Sequence, residues 1–219
     1  MIPAVIFDMD GVLTNSEPVI NAAAIAGLRE YGINPKPEDF EPFVGTGEDR
    51  YIGGVAEAHG LVYRPEMKRR VYEIYLDILP GRIAAFPGVH ALLTRLRAHG
   101  VNLAVASSAD RIKVEANLRA VNIDMAWFGA IITGEDATRK KPAPDLFLAA
   151  AARLGRPPEN CCVVEDAVNG IQAAKQAGMR CVAVEQSFPA AILRAAGPDV
   201  IRPTIAAVTL ADLGMPANP

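Results

Sequence analysis

Two carboxylates one residue apart, Asp8 and Asp10, close a short apolar run, Ala4 to Phe7, and are followed by Gly11. An apolar run of this length that stops abruptly reads as a strand buried on both faces. Asp8 therefore falls at the carboxyl end of a strand, where open α/β sheets gather their ligands. Paired acids beside a glycine that frees the backbone to turn suit a hard cation, which takes oxygen ligands. Asp and Gly are also ordinary turn residues, and this stretch alone leaves both readings open.

Three later segments bear on the choice. Val101 to Ala106 reads as a strand and ends in Ser107-Ser108. Hydroxyls there, with the N–H groups of a following helix, can hold phosphate oxygens; they can equally cap the helix that starts near Asp110. Arg139-Lys140-Lys141-Pro142 follows a short strand, Ala130 to Thr133. Pro142 biases Lys141 to an extended backbone, which aims an ammonium suited to a phosphoryl group; a solvated basic loop is the alternative. Cys161 to Val164 ends in Glu165-Asp166 and runs into a helix, where acids can bind a cation or favour the helix N-terminus. All four segments put a polar group just after a strand, at one edge of one sheet. Their inventory of acids, hydroxyl and lysine suits a metal together with a phosphate.

The elements that must position these groups alternate. Val89 to Ala98 reads as a helix, as do Asp110 to Val121, Ala143 to Leu154 and Ala167 to Ala177, with strands between them and at Cys181 to Val184. A further short strand is expected near Val200 and a last turn near Ala211. This order implies an α/β fold, a Rossmann-like parallel sheet with right-handed crossovers. Residues 15–85 break the pattern. Helices are expected over Glu17 to Tyr31, with Ser16 as N-cap, and over Glu48 to His59 and Pro65 to Leu79, with no strand among them. We read this block as an inserted α-helical cap on a core of residues 1–14 and 86–219, with turn-rich hinges near Asn15 and from Arg82 to Gly88.

Composition narrows the function classes. The 219 residues are 51% hydrophobic and 21% charged, which fits a folded domain with ample core. A net charge of -3 gives no reason to expect nucleic acid or an anionic membrane surface as partner. No run approaches a membrane span of about 20 residues, and Asp8 interrupts the first apolar run too early for a signal peptide. Cys161, Cys162 and Cys181 form no C-x-x-C and read as buried free thiols, the adjacent pair on opposite faces of a strand. A cytoplasmic monomer is the expectation.

The four segments, in this order and spacing, resemble the motifs of the haloacid dehalogenase superfamily of phosphotransferases: Asp8-Met9-Asp10-Gly11-Val12-Leu13-Thr14, Ser107, Lys141-Pro142 and Glu165-Asp166. The resemblance spans essentially the whole chain, and the helical block looks like the family's four-helix cap. Within the superfamily the chain is similar to the branch holding β-phosphoglucomutase and small-metabolite phosphatases. Phe43 to Glu48 and Val105 to Val114 look most like the corresponding domain of plant suppressor-of-quenching proteins. The resemblance implies that Asp8 is the nucleophile and forms an aspartyl-phosphate, and that Asp10 is the general acid and base. It implies Mg²⁺ held by the Asp8 carboxylate, the Asp10 backbone carbonyl and Asp166, with Glu165 close by. It implies phosphoryl oxygens held by Ser107 and Lys141, with Ser108 a further phosphate candidate, and the fourth-motif strand beside the first.

Two departures bear on the mutase. Ile20 stands where β-phosphoglucomutase has a cap histidine, and Glu48 where it has a phosphate-binding arginine, although Arg50 lies two residues on. A mutase must hold a second phosphate, so hydrolysis of a small phosphorylated metabolite is the leading expectation. A phosphosugar mutase and a non-catalytic domain binding a phospho-ligand or partner are the alternatives. Gly45-x-Gly47 does not follow a strand and reads as cap loop facing the substrate, not a dinucleotide loop. His59, His90 and His99 read as surface or helix-end residues, and Lys68-Arg69-Arg70 as a solvated helix face.

Overall fold

The computed structural model describes residues 4–216; Ile2 and Pro3, which open the first motif stretch, lie outside them. Ala4–Phe7 forms β1, fully buried, as an uninterrupted apolar run at a sheet centre should be. The remaining strands are β2 (Leu103–Ala106), β3 (Ala130–Ile132), β4 (Cys161–Glu165), β5 (Arg180–Val184) and β6 (Val200–Arg202). They pair in the order β3-β2-β1-β4-β5-β6, every neighbour parallel. β1 thus lies between β2 and β4, where the strand order reverses. In this register Phe7 stands opposite Val164, and the Asp8 N–H donates to the Val164 carbonyl at 3.0 Å. Asp8 and Glu165 therefore leave the sheet side by side.

The sheet is sandwiched. Val5, Phe7, Cys162 and Val164 pack on one face; Ala4, Ile6, Cys161 and Val163 pack on the other against Phe147 and Ile171. Cys161 and Cys162 point to opposite faces, as period two requires, and all three cysteines are buried and free. The strand Val101 to Ala106 begins two residues late, at Leu103, and the helix after it runs Arg111–Ala120.

Between β1 and β2 lie α1 (Glu17–Arg29), a 3-10 turn at Pro37–Phe43, α2 (Glu48–Ala58), α3 (Pro65–Ile78) and α4 (Val89–Ala98). After β2 come α5 (Arg111–Ala120), α6 (Asp145–Arg153), α7 (Val168–Gln176) and α8 (Ala190–Arg194). Residues 15–85 contain no strand among the described residues. The two chain crossings into and out of this block run together: Asn15 N donates to Ala84 O at 2.9 Å and Phe86 N to Leu13 O at 3.2 Å. α1 starts after Ser16, but the Ser16 hydroxyl caps no helix N–H; it donates instead to Asp10. Of Lys68-Arg69-Arg70, Arg69 is exposed and Arg70 lies on the surface, but Lys68 does not belong to a solvated face. Lys68 bridges Asp49 of α2 and Asp110 ahead of α5, at 2.8 and 2.7 Å, and Arg70 pairs with Glu30 and Glu73. Opposite charges on facing elements draw Lys68 out of solvent, which adjacency in sequence could not reveal, whereas the Arg70 pairs stay on the surface. His59 and His99 sit at the C-terminal ends of α2 and α4.

Candidate active site

The groups converge where the strands end. Asp8 leaves β1, Ser107 and Ser108 leave β2, and Glu165 and Asp166 close β4; all are buried and line one cavity of about 70 Å³ with Lys141. Lys141 Nζ donates to Asp8 Oδ1 at 2.5 Å and to Glu165 Oε1 at 2.7 Å. Glu165 Oε2 accepts the N–H groups of Asp166 and Ala167, at 2.7 and 2.8 Å. The glutamate is thereby fixed from both sides and in turn aims the lysine.

Burial and charge set the protonation of this cluster. Burial pushes Asp8 up to about 7, against the pull of Lys141 and with help from Glu165. Burial also raises Asp166 well above the usual carboxylate range, and the charges of Glu165 and Asp8 add to it. For Lys141, burial works against the charged form, but Asp8 and Glu165 outweigh it and hold the ammonium above its usual value.

Asp8, Glu165 and Asp166 each offer an oxygen, all within 4.8 Å of one another. Three hard oxygen donors fit a small divalent cation. Gly11 guards their space: its φ is +81°, and a Cβ there would strike Asp166 and meet Ser187 Oγ at 2.6 Å. The Ser107 hydroxyl accepts the Ala109 N–H at 3.1 Å, which organises the β2 turn. The Ser108 hydroxyl is buried without a hydrogen-bond partner among the described residues, a cost that an added oxygen ligand would remove.

The Asp10 side chain turns away from these acids. Its Oδ2 receives Lys113 Nζ at 2.9 Å, and its Oδ1 receives Asn117 Nδ2 at 3.2 Å and the Ser16 hydroxyl. Lys113 also donates to Glu48 of α2 at 2.9 Å, so one buried ammonium joins the first-motif loop, α5 and the helical insert. Asn117 is held by the Tyr75 hydroxyl of α3 at 2.5 Å. Burial opposes the charge on Lys113, yet Asp10 and Glu48 hold its ammonium well above the usual value.

Gly45, Gly47, Glu48 and Ile20 line the cavity from the insert. Arg50 does not replace the missing cap cation: it pairs with Glu57 on the surface at 3.0 Å and lies over the Phe43 ring. Sequence reasoning did not single out Lys113, Asn117, Glu17 or Tyr51. Glu17 accepts the Tyr51 hydroxyl at 2.9 Å, and burial raises its pKa.

Comparison with known proteins agrees with this geometry. Residues 2–178 match the haloacid dehalogenase-like hydrolase family. The chain is 46% identical over 216 residues to Protein SUPPRESSOR OF QUENCHING 1, chloroplastic, of Arabidopsis thaliana, covering 97% of this chain and 20% of that protein. It therefore spans about a fifth of that relative's length. It is 32% identical over 186 residues to a phosphorylated carbohydrates phosphatase of Thermotoga maritima, covering 80% and 82%. The crystal structure of CbbY from Rhodobacter sphaeroides in complex with phosphate superposes with a TM-score of 0.85 at 29% identity, covering 98% of this chain and 100% of that one. Three strand-end motifs joined by Lys141 from the β3–α6 loop, a β1–β4 pairing that brings their acids together, and a family match over most of the sequence have one explanation: the chain belongs to the haloacid dehalogenase-like hydrolases.

Proposed function

We propose that this chain is a Mg²⁺-dependent phosphatase that hydrolyses a small phosphorylated metabolite through an aspartyl-phosphate on Asp8. The observation that carries this reading is the single contact set Asp8–Lys141–Glu165, with Asp166 beside it in one buried pocket. The relatives named as phosphatases support hydrolysis of a phosphoric monoester as the reaction class.

An Asp8 carboxylate oxygen attacks phosphorus in line with the leaving oxygen. Lys141 orients Asp8 and offsets negative charge on the phosphoryl oxygens, assisted by the Ser107 and Ser108 turn. Asp10, steered by Lys113, Asn117 and Ser16, protonates the leaving oxygen and then takes a proton from the water that cleaves the aspartyl-phosphate. The Asp8 carboxylate, the Asp10 backbone carbonyl and Asp166 would hold Mg²⁺, with Glu165 close by. The bound ion supplies positive charge that offsets repulsion between Asp8 and the phosphate dianion.

Residues 15–85 act as a cap that opens and closes over a core of residues 1–14 and 86–219, hinging near Asn15 and over 82–88. Hydrolysis is favoured over phosphosugar transfer because the cap position facing the site is Glu48, and it is occupied with Lys113. A cytoplasmic monomer suits the three buried free thiols and a pocket complete within one chain. The test is steady-state release of inorganic phosphate from p-nitrophenyl phosphate with Mg²⁺. Turnover lost in Asp8→Asn supports the reading, and efficient isomerisation of β-glucose 1-phosphate in its place overturns it.

A further inference from the structure

The loop after β5 reaches back to the first motif. Residues 185–189 join β5 to α8, and both ends of the loop are pinned. The Glu185 N–H donates to the Arg202 carbonyl at 3.0 Å, and Glu185 Oε2 accepts the Ala190 N–H at 2.8 Å. Between these anchors, Gln186 Nε2 donates to the carbonyls of Gly11 and Val12 at 2.7 and 3.3 Å, while its Oε1 accepts the Ile205 N–H at 2.8 Å. One amide side chain thus fastens the loop to the turn that follows Asp10.

Ser187 is the next residue. Its hydroxyl hydrogen-bonds to the buried Asp166 carboxylate, and both residues line the cavity beside Gly11. The meeting needs the glycine, since a Cβ at Gly11 would fall on Asp166 and lie 2.6 Å from Ser187 Oγ. Ser187 itself is exposed, so its hydroxyl has water at hand and is nonetheless turned inward to the acid.

The three acids of the cluster share a feature: each has an oxygen committed within the protein. Asp8 Oδ1 and Glu165 Oε1 take Lys141, Glu165 Oε2 takes two backbone N–H groups, and Asp166 takes Ser187. A carboxylate gripped through one oxygen turns only the other to a cation. That suits Mg²⁺, which takes single oxygens in a small octahedral shell, whereas the larger Ca²⁺ also accepts both oxygens of one carboxylate.

We infer that Ser187 is a positioning residue for the cation: its hydroxyl, held in place by Gln186, keeps Asp166 turned to the ion through a single oxygen and so favours Mg²⁺ over Ca²⁺. The inference rests on the reading of Asp166 as a metal ligand and adds a residue outside the four motifs. Losing a group that hydrogen-bonds a metal's ligand weakens metal binding by about 10–100-fold.

Isothermal titration calorimetry of Mg²⁺ and Ca²⁺ binding tests this without turnover, in the wild type and in Ser187→Ala, Ser187→Thr and Gln186→Ala. Ser187→Ala empties no packed space, so its melting temperature without metal should match the wild type. Its Kd for Mg²⁺ should rise about tenfold while that for Ca²⁺ changes little, so the preference for Mg²⁺ falls by the same factor. Ser187→Thr keeps the hydroxyl and should restore both. Gln186→Ala should weaken Mg²⁺ in the same direction and also melt lower, because the Gly11 carbonyl and the Ile205 N–H lose their partner. Wild-type Mg²⁺ affinity in Ser187→Ala, an equal loss for both cations, or a loss that threonine does not restore overturns the inference and leaves the phosphatase reading standing. A wild-type protein that binds no Mg²⁺ overturns the inference and the Mg²⁺-dependent reading together.

Discussion

Lys113 and Asp10 lie 103 residues apart and meet at 2.9 Å, with the ammonium buried and its second bond, to Glu48, also 2.9 Å long. The proposed acid–base residue is thus tied to the position of α2. Glu48 of α2 accepts from Lys113, and Lys113 holds the Asp10 carboxylate. Replacing Lys113 with Met leaves the buried Glu48 and the half-buried Asp10 facing each other without a cation. Loss of one partner from a buried pair costs about 3–5 kcal/mol. Urea unfolding of Lys113→Met should show a loss of that size, and phosphate release should fall by at least about tenfold through misplacement of Asp10. Wild-type stability and turnover would mean the bridge is incidental.

Gly11 yields a sharper prediction, because two constraints coincide there. Its φ of +81° disfavours any L side chain, and a Cβ would run into the Asp166 carboxylate. Gly11→Ala should lower stability by about 1–3 kcal/mol from backbone strain and should also weaken Mg²⁺ binding by displacing Asp166. A titration that finds metal affinity intact in a folded Gly11→Ala protein would sink the assignment of Asp166 to the cation.

Much of this site could be read from the chain because Asp8, Ser107 and the Glu165-Asp166 pair each close a strand, while Lys141 reaches them from the long loop between β3 and α6. Apolar runs at Ala4 to Phe7 and Cys161 to Val164 locate Asp8, Glu165 and Asp166 at strand ends, and parallel topology puts those ends on one edge. The network behind Asp10 is different. Lys113 and Asn117 are one helical turn apart and share the buried face of α5 with Val114 and Leu118. Two polar residues at that spacing on an apolar face were the available signal, but their partners lie on other elements and no local pattern names them. In sequence Glu48 reads as a missing arginine, and only its contact with Lys113 shows that the acid has a cation of its own. Lys68 reads as one of three adjacent basic residues, yet it is the one drawn to Asp110 across the fold.

Besides the ties of Glu48, Tyr75 and Ser16 to Lys113, Asn117 and Asp10, the insert meets the core through contacts away from the reacting groups. Lys68 meets Asp110 at 2.7 Å, and Asn169 Nδ2 donates to the Gly45 carbonyl at 2.7 Å. Their loss should favour an open cap without touching the reacting groups. Asn169→Ala is expected to raise KM by about threefold to tenfold, on the order of one hydrogen bond, with kcat reduced less. Small-angle scattering of the variant should show a larger radius of gyration than the wild type. An unchanged scattering profile together with an unchanged KM would argue that residues 15–85 do not move as a unit.

The acid cluster makes stability depend on pH and on metal together. Burial first, and then Glu165, raise Asp8 from 3.8 to about 7 despite Lys141. The folded protein therefore holds this proton more tightly than the unfolded chain. The resulting stabilisation is fully present below the unfolded value near 3.8 and is lost as pH rises through about 7. A divalent cation binds the deprotonated carboxylates, so its effect must run the other way. At Mg²⁺ concentrations about 100 times Kd the gain is about 2.7 kcal/mol, or roughly 5–10 °C in Tm for a chain of this size. We expect that increment at pH 8, a much smaller one at pH 5, and none at either pH in Asp166→Asn. Asp8→Asn without metal should melt higher than wild type at pH 8, because an uncharged amide removes the repulsion from Glu165 and Asp166. Differential scanning fluorimetry across this grid checks each point, and equal Mg²⁺ shifts at the two pH values would remove the link between Asp8 ionisation and the cation.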